Sequence, residues 1–251
     1  MGNANALVLF DIDGTLVRRA GPHHRGALVD AVRRVTGIEV CIEGVPVAGM
    51  LDPVILSQMM RTAGMRAAAI RESMPRIIAA AERLYIRRCP PIERRVCPGV
   101  RMLLRRLQRD GFVLGLVTGN LTRIGWRKME RAGLREFFRF GAFGEMARNR
   151  AGLVRVAMRH ARREGWVRAG DPVSLIGDHV NDIAAARANG VRAIAVATGV
   201  LDRETLAAHH PDLLLTDLRE LKPPMLVWNR QSLPSPDPST GASRTTATAR
   251  P

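Results

Sequence analysis

Residues Leu7-Val8-Leu9-Phe10 form an unbroken apolar run that stops at Asp11-Ile12-Asp13-Gly14-Thr15. A run without polar alternation suits a strand buried on both faces, as in a parallel sheet covered by helices. The same run places two carboxylates where open α/β sheets bind ligands, just past the carboxyl end of a strand. In extended backbone the i and i+2 side chains point the same way, so Asp11 and Asp13 share a side. Like charges held close repel unless a cation or a proton lies between them. A hard cation such as Mg²⁺ suits oxygen ligands of this kind. The plainer alternative is a strand end closed by Asp-Gly turn residues.

The rest of the chain repeats the theme. Ala27, Leu28, Ala31, Val32 and Val35 fall at helical spacing, and helical patterns continue over 52–63 and 66–88 after a Gly- and Pro-rich loop at 44–53. Pro90-Pro91 and Pro98-Gly99 break the pattern. Alternation then sets in. Strands are expected at 112–117, 140–143, 173–176, 191–196 and 213–215, and helices at 99–110, 121–132, 151–164, 180–189 and 202–208. Such alternation implies parallel βαβ units with right-handed crossovers. The expected fold is α/β, a doubly wound parallel sheet with a Rossmann-like core. Its domains are a core of 1–15 and 96–228, an inserted all-helical cap over 16–95, and a tail, 229–251, rich in Ser, Thr, Pro and Ala and expected to be disordered.

Composition bounds the function. With 251 residues, 46% of them hydrophobic, the chain has ample material for a core. No apolar stretch approaches the length of a membrane span, and the N-terminal run is too short for a signal peptide. Cys41, Cys89 and Cys97 are odd in number and form no Cys-x-x-Cys pair, which argues against a disulfide framework or a thiolate metal site; the expected compartment is the cytoplasm. The net charge is +16, and all but two of the 39 basic residues are arginine, the lysines being Lys128 and Lys222. Pairs such as Arg33-Arg34 and Arg105-Arg106 read as solvated helix faces. Their summed field still attracts anionic substrates. Aromatic residues make up only 4% of the chain, without the aromatic-interleaved basic patch of single-strand binders, so nucleic acid is not the expected partner.

Three strand ends carry polar residues: Asp11-Ile12-Asp13-Gly14-Thr15, Thr118-Gly119-Asn120, and Gly177-Asp178-His179-Val180-Asn181-Asp182. In this order, and with Pro98-Gly99-Val100 leading the helix before the second segment, the set resembles the haloacid dehalogenase-like hydrolases. Within them it is similar to the phosphoglycolate phosphatase-like branch with a helical cap. The resemblance covers roughly residues 5–222. It implies that Asp11 is a nucleophile forming an aspartyl-phosphate and that Asp13 is the general acid and base. It implies that Gly14 turns the chain beside the phosphate, and that Thr118, Gly119 and Asn120 hold phosphate or face substrate. Asp178 and Asp182 would join Asp11 and Asp13 in holding Mg²⁺. As alternatives, Asp178 and Asp182 read as helix N-terminal caps, and Asn120 as a turn or helix-start residue.

The family also places a cation on the phosphate, commonly a lysine. The corresponding stretch here, Phe143 to Arg150, holds none. Arg150 takes the place best and Arg148 second, since arginine binds phosphate in a fork; the other reading of Arg150 is a solvated surface residue. The cap carries Gly49-Met50-Leu51-Asp52 where related phosphatases have a Gly-Arg-Thr-Asp-like segment, and the apolar Met50 and Leu51 argue against a small, doubly anionic substrate. His23, His24 and Arg25 lie within reach of a leaving group, although the histidine pair reads first as surface. The expected partner is a small-molecule phosphate ester, and the expected assembly a monomer or homodimer. A β-phosphoglucomutase-like phosphomutase keeps both aspartates and stays as an alternative. So does a non-catalytic protein binding anions or nucleic acid on this fold. Dehalogenase and phosphonatase chemistry does not need Asp13.

Overall fold

The computed structural model describes residues 6–18 and 22–228. The expectation of a disordered tail falls on 229–251, outside the described residues. Among the described residues, six strands form one parallel sheet: β1 (Leu7–Phe10), β2 (Val113–Val117), β3 (Phe140–Ala142), β4 (Val173–Gly177), β5 (Arg192–Val196) and β6 (Leu213–Leu215). Their spatial order is β3-β2-β1-β4-β5-β6. The chain winds outward from β1 to β3, then crosses back and winds the other way from β4 to β6. That reversal opens a crevice between β1 and β4 at the carboxyl ends of the strands.

The apolar runs explain why the sheet sits inside. Alternate residues of each strand serve opposite faces. Val8 and Phe10 of β1 join one core with Leu114, Leu116, Ile176 and Ile194. Leu7 and Leu9 join a second core with Val113, Val117, Leu175 and Ala193. Helices α4 (Val100–Arg109) and α5 (Thr122–Ala132) contribute to the first, and α6 (Arg150–Arg163) and α7 (Val180–Arg187) to the second. A short helix α8 (Arg203–Ala207) precedes β6. The helix expected over 180–189 ends early, at Arg187. Gly190 turns to a φ of +58°, and Val191 N donates back to Ala186 O, closing the last turn.

Between β1 and β2 lie α1 (His23–Thr36), α2 (Asp52–Thr62) and α3 (Ala67–Arg88), which pack on one another. Leu28, Leu56, Met59, Ile77 and Tyr85 bury their side chains among them. This apolar interior runs on into the first sheet core through Ile12, Leu16 and Val17. The two connecting strands of chain lie side by side, with Arg18 N donating to Arg95 O and Cys97 N to Leu16 O.

One seat of the helical layer on the sheet is the start of α5. A helix begins with N–H groups that have no partner inside it, and the residue at the cap here, Leu121, has no side-chain acceptor. Carboxylates from elsewhere supply the bonds. Asp52 Oδ2 accepts from Leu121 N at 2.9 Å, Glu82 Oε1 from Arg123 N at 2.9 Å, and Glu145 Oε1 from Thr122 N at 3.0 Å. Two of these three acids belong to the helical layer. Negative charge at a helix N-terminus is favourable as well. Alanine at Asp52 or Glu82 should therefore cost about 0.5–2 kcal/mol, in the range of a lost helix cap. Hydrogen exchange would show it as faster exchange of the Leu121–Arg123 amides and unchanged protection in β4 and β5.

Candidate active site

Three acidic side chains converge at the crevice. Asp11 follows the last residue of β1, Asp178 follows β4, and Asp182 lies in the first turn of α7. The parallel register that pairs Phe10 with Ile176 brings the first two side by side. All three are buried, and one carboxylate oxygen from each lies within 4.8 Å of the others.

One guanidinium answers them. Arg150 is the first residue of α6, whose start is capped by Asn149 accepting from Gly152 N at 2.8 Å. Its Nη1 stands 3.1 Å from Asp11 Oδ1 and 2.5 Å from Asp182 Oδ1. At 6% exposure it is no surface arginine, so that alternative is corrected; Arg148, by contrast, is exposed. Burial opposes the charge on Arg150, but the two carboxylates outweigh it and hold the guanidinium protonated. Asp182 also accepts from His179 N at 3.1 Å, so the helix-cap reading holds for it alongside its place in the cluster.

Three carboxylates against one guanidinium leave surplus negative charge. Burial, with Asp11 and Asp182 nearby, pushes Asp178 up to about 8, and burial raises Asp182 to about 7 against the pull of Arg150. Asp11 Oδ1 is buried without a hydrogen bond beyond its ion pair. An over-charged cluster of carboxylate oxygens, matched by a single guanidinium, fits a hard divalent cation. Space for it is kept by glycine. Gly14 has a φ of +91°, and a Cβ there would lie 2.1 Å from Asp178 Oδ2.

Asp13 stands apart from that cluster, in a second one. Lys128 of α5 reaches it with Nζ at 2.6 and 2.8 Å from its two oxygens, and also donates to Asn120 Oδ1 at 2.6 Å. His24 Nδ1 lies 3.3 Å from the same ammonium. Asn120 Nδ2 donates to Asp13 Oδ2 at 2.8 Å and to Thr118 Oγ1 at 2.7 Å. Burial pushes the Asp13 carboxyl up, but Lys128 and His24 outweigh it, and the group stays below the usual carboxylate range. Asp13 keeps 28% of its side chain exposed, facing the cavity, while Lys128 is 1% exposed.

Sequence reasoning missed Lys128. It expected an arginine alone to supply the cation. The signal was present: Lys128 falls on the i, i+4 stripe of α5 between buried Ile124 and Ala132, where a charge is costly unless paired. The reading of His23 and His24 as a surface pair holds only for His23, which is exposed. His24 turns inward, 2.9 Å from Asp52 Oδ2 and edge-on to Tyr85. Leu51 is buried in the second sheet core, whereas Met50 lines the cavity.

Both clusters open into one cavity of about 400 Å³. Its floor holds Asp11, Asp13, Thr118, Gly119, Asn120, Lys128, Arg150 and Asp178. The helical layer roofs it and comes close at Gly119, where a Cβ would meet Met50 O at 2.1 Å.

The charge balance gives two expectations. Asp178→Asn replaces a carboxyl whose ionisation burial and Asp11 oppose, so at pH 9 the metal-free protein should melt a few degrees higher, on the order of 1 kcal/mol, and added Mg²⁺ should raise its midpoint less than that of the wild type. Melting curves with Mg²⁺ and with EDTA test this; a lower metal-free midpoint would contradict the surplus. Lys128→Met strands Asp13 and Asn120. Urea titration should show a loss of about 1–3 kcal/mol, kept below that of a fully buried pair by the solvent contact of Asp13.

Residues 6–190 match the family described as haloacid dehalogenase-like hydrolase. A phosphoglycolate phosphatase of Synechococcus elongatus is 37% identical over 120 residues, covering 47% of this chain and 53% of that one. A phosphoglycolate phosphatase of Pseudomonas fluorescens is 25% identical over 236 residues, 88% of this chain and 80% of that one. The chain spans about half the length of the first such relatives it matches. Among solved structures, the β-phosphoglucomutase of Clostridium difficile aligns with a TM-score of 0.67 at 18% identity, covering 87% of this chain and 94% of that one. CbbY of Rhodobacter sphaeroides, in complex with xylulose-(1,5)bisphosphate, aligns at 0.65 and 19%, covering 88% and 99%. At such identities these structures show a shared fold.

Proposed function

The chain belongs to the haloacid dehalogenase-like hydrolases, and from that premise we propose that it is a Mg²⁺-dependent phosphomonoester hydrolase acting through an aspartyl-phosphate on Asp11. The observation that carries this reading is the separation of two aspartates two residues apart into opposite surroundings. Asp11 sits in an acidic cluster with Arg150, and Asp13 sits on Lys128 and Asn120. Carboxylates whose environments differ so sharply take different chemical roles.

In the proposed reaction an Asp11 oxygen attacks phosphorus. The bond to the leaving oxygen breaks, and Asp13 gives that oxygen its proton. Water then attacks phosphorus, Asp13 takes the proton back, and the Asp11–phosphorus bond breaks to release phosphate. Lys128 favours the carboxylate form of Asp13, which suits the base; a phosphate dianion beside Asp13 opposes that field and favours the acid. Arg150 and the Thr118 hydroxyl hold phosphate oxygens. Asp11, Asp178 and the Asp13 carbonyl would hold Mg²⁺, supported by Asp182, and the ion would neutralise phosphate charge. We assign residues 1–15 and 96–228 to the catalytic core and 16–95 to a lid that excludes water. No helix of the described residues is long and apolar enough to cross a membrane, and Cys41, Cys89 and Cys97 are free thiols, in keeping with a small-molecule enzyme of a reducing cytoplasm.

A mutase is the second reading, favoured by a cavity large enough for a sugar phosphate. Free phosphate as product marks the hydrolase and an isomerised sugar phosphate the mutase. Phosphate release from a panel of monoesters should require Mg²⁺ and be abolished by Asp11→Asn and by EDTA. Asp13→Asn should lower it about 10²–10⁴-fold. Arg150→Ala should impair it more than Arg148→Ala. Wild-type turnover by a folded Asp11→Asn protein would remove the nucleophile assignment.

A further inference from the structure

The two halves of the cavity differ in kind. The floor is charged, and its cations are already matched. Arg150 faces Asp11 and Asp182, and Lys128 spends its donors on Asp13 and Asn120 with His24 beside it. The roof is aliphatic. Leu28 of α1, Ile42, Val47 and Met50 of the following loop, and Ile55 of α2 line it, with Val200 at the rim. Ile42, Val47 and Met50 are only half-buried although they pack against the core, and Val200 is 48% exposed. Half-buried aliphatic side chains around a concave site gain when a ligand covers them. Arg25 is the one further guanidinium lining the cavity among the described residues, and it is exposed, where water screens it.

A second carboxylate on the substrate would therefore meet hydrocarbon, a solvent-screened arginine, or the imidazoles of His24, which already faces Asp52 and Lys128, and His179, whose Nδ1 already accepts from Asn181 N. Placed there without a partner, it would bear a desolvation cost. The volume points the same way. Pockets of roughly 300–1,000 Å³ hold drug-sized ligands, and this one is about 400 Å³. A two-carbon acid phosphate would leave most of it to water.

Resting on the phosphatase reading above, we infer that the substrate is a phosphomonoester of a neutral alcohol with a bulky apolar face, cyclic or aromatic, rather than a small phosphorylated acid. The phosphoryl group lies on the charged floor, and the leaving group covers Ile42, Val47, Met50 and Val200. Specificity resides in the lack, among the described residues, of an unpaired buried cation in the roof as much as in the apolar contacts.

The test uses non-hydrolysable phosphonates, so that binding is read separately from turnover. With Mg²⁺ present, isothermal titration compares benzylphosphonate with phosphonoacetate on the full chain. Benzylphosphonate should bind at least tenfold more tightly, as expected for an apolar group filling an apolar pocket. Ile42→Lys, at the half-buried roof, should narrow or reverse that preference while leaving the melting temperature near that of the wild type. In parallel, kcat/KM for benzyl phosphate should exceed that for phosphoglycolate by a similar factor. Tighter binding of phosphonoacetate, equal binding of the two, or binding of neither overturns the inference, and does so even if phosphoglycolate is hydrolysed. Absence of phosphate release from every ester, with the benzylphosphonate preference intact, overturns the phosphatase reading and leaves the apolar-ligand site standing.

Discussion

Three buried carboxylates around one guanidinium form the constraint on which the rest of this structure turns. Like charges at such distances in a poorly solvated crevice are unfavourable, and burial alone raises the cost of each. Asp11, Asp178 and Asp182 nevertheless meet here, because each is delivered by an element whose position is set elsewhere. Asp11 rides on β1 and Asp178 on β4, two central strands buried on both faces. Asp182 rides on α7, which is packed against the second sheet core. The apolar burial of those elements, at about 25 cal/mol per Å² of surface, offsets the repulsion. Arg150 relieves part of it, and the remainder is the physical basis of the cation site proposed above.

A second electrostatic device ties the helical layer to that site. The first N–H groups of α5 are served by Asp52 and Glu82 from the cap and by Glu145 from the loop after β3. Nearly two turns further along α5, Lys128 reaches back to Asp13. A single helix thus carries a seat of the helical layer at its N-terminus and the partner of Asp13 on its buried face. Asp52 joins the two, since it also meets His24, whose other ring nitrogen faces Lys128. A shift of the helical layer would disturb the surroundings of Asp13 directly, and would reach the first turn of α7, which carries Asp182, through the bond from Asn181 Nδ2 to Gly49 O.

The contrast between charged floor and aliphatic roof follows from the same division. The carboxylates of the floor come from strand ends and the turn after them, and its cations from helices, Lys128 of α5 and Arg150 of α6. The roof is built from helices and a loop whose inward faces already belong to an apolar interior.

The succession of strands and helices along the chain and the acidic strand ends were legible in the sequence because each depends on local pattern: unbroken apolar runs, a 3.6-residue period, and glycine or asparagine where the chain turns. The helix ends at Arg187 and Arg163 departed by a residue or two, since hydrogen bonds of the final turn decide them. Arg150 was legible as a candidate and ambiguous as a role, for nothing local tells a buried arginine from a solvated one in a chain with so many. Lys128 was not read as a site residue, and His24 was read first as surface and only second as reaching the leaving group. Each is a polar residue on a helix, and its significance lies in partners 115 and 28 residues away in the chain. The sequence by itself determined where the strands end in carboxylates, because burial of apolar runs is written residue by residue. Only the tertiary structure decided which cations those carboxylates meet and what covers them, because pairing across the crevice depends on the packing of whole helices against the sheet.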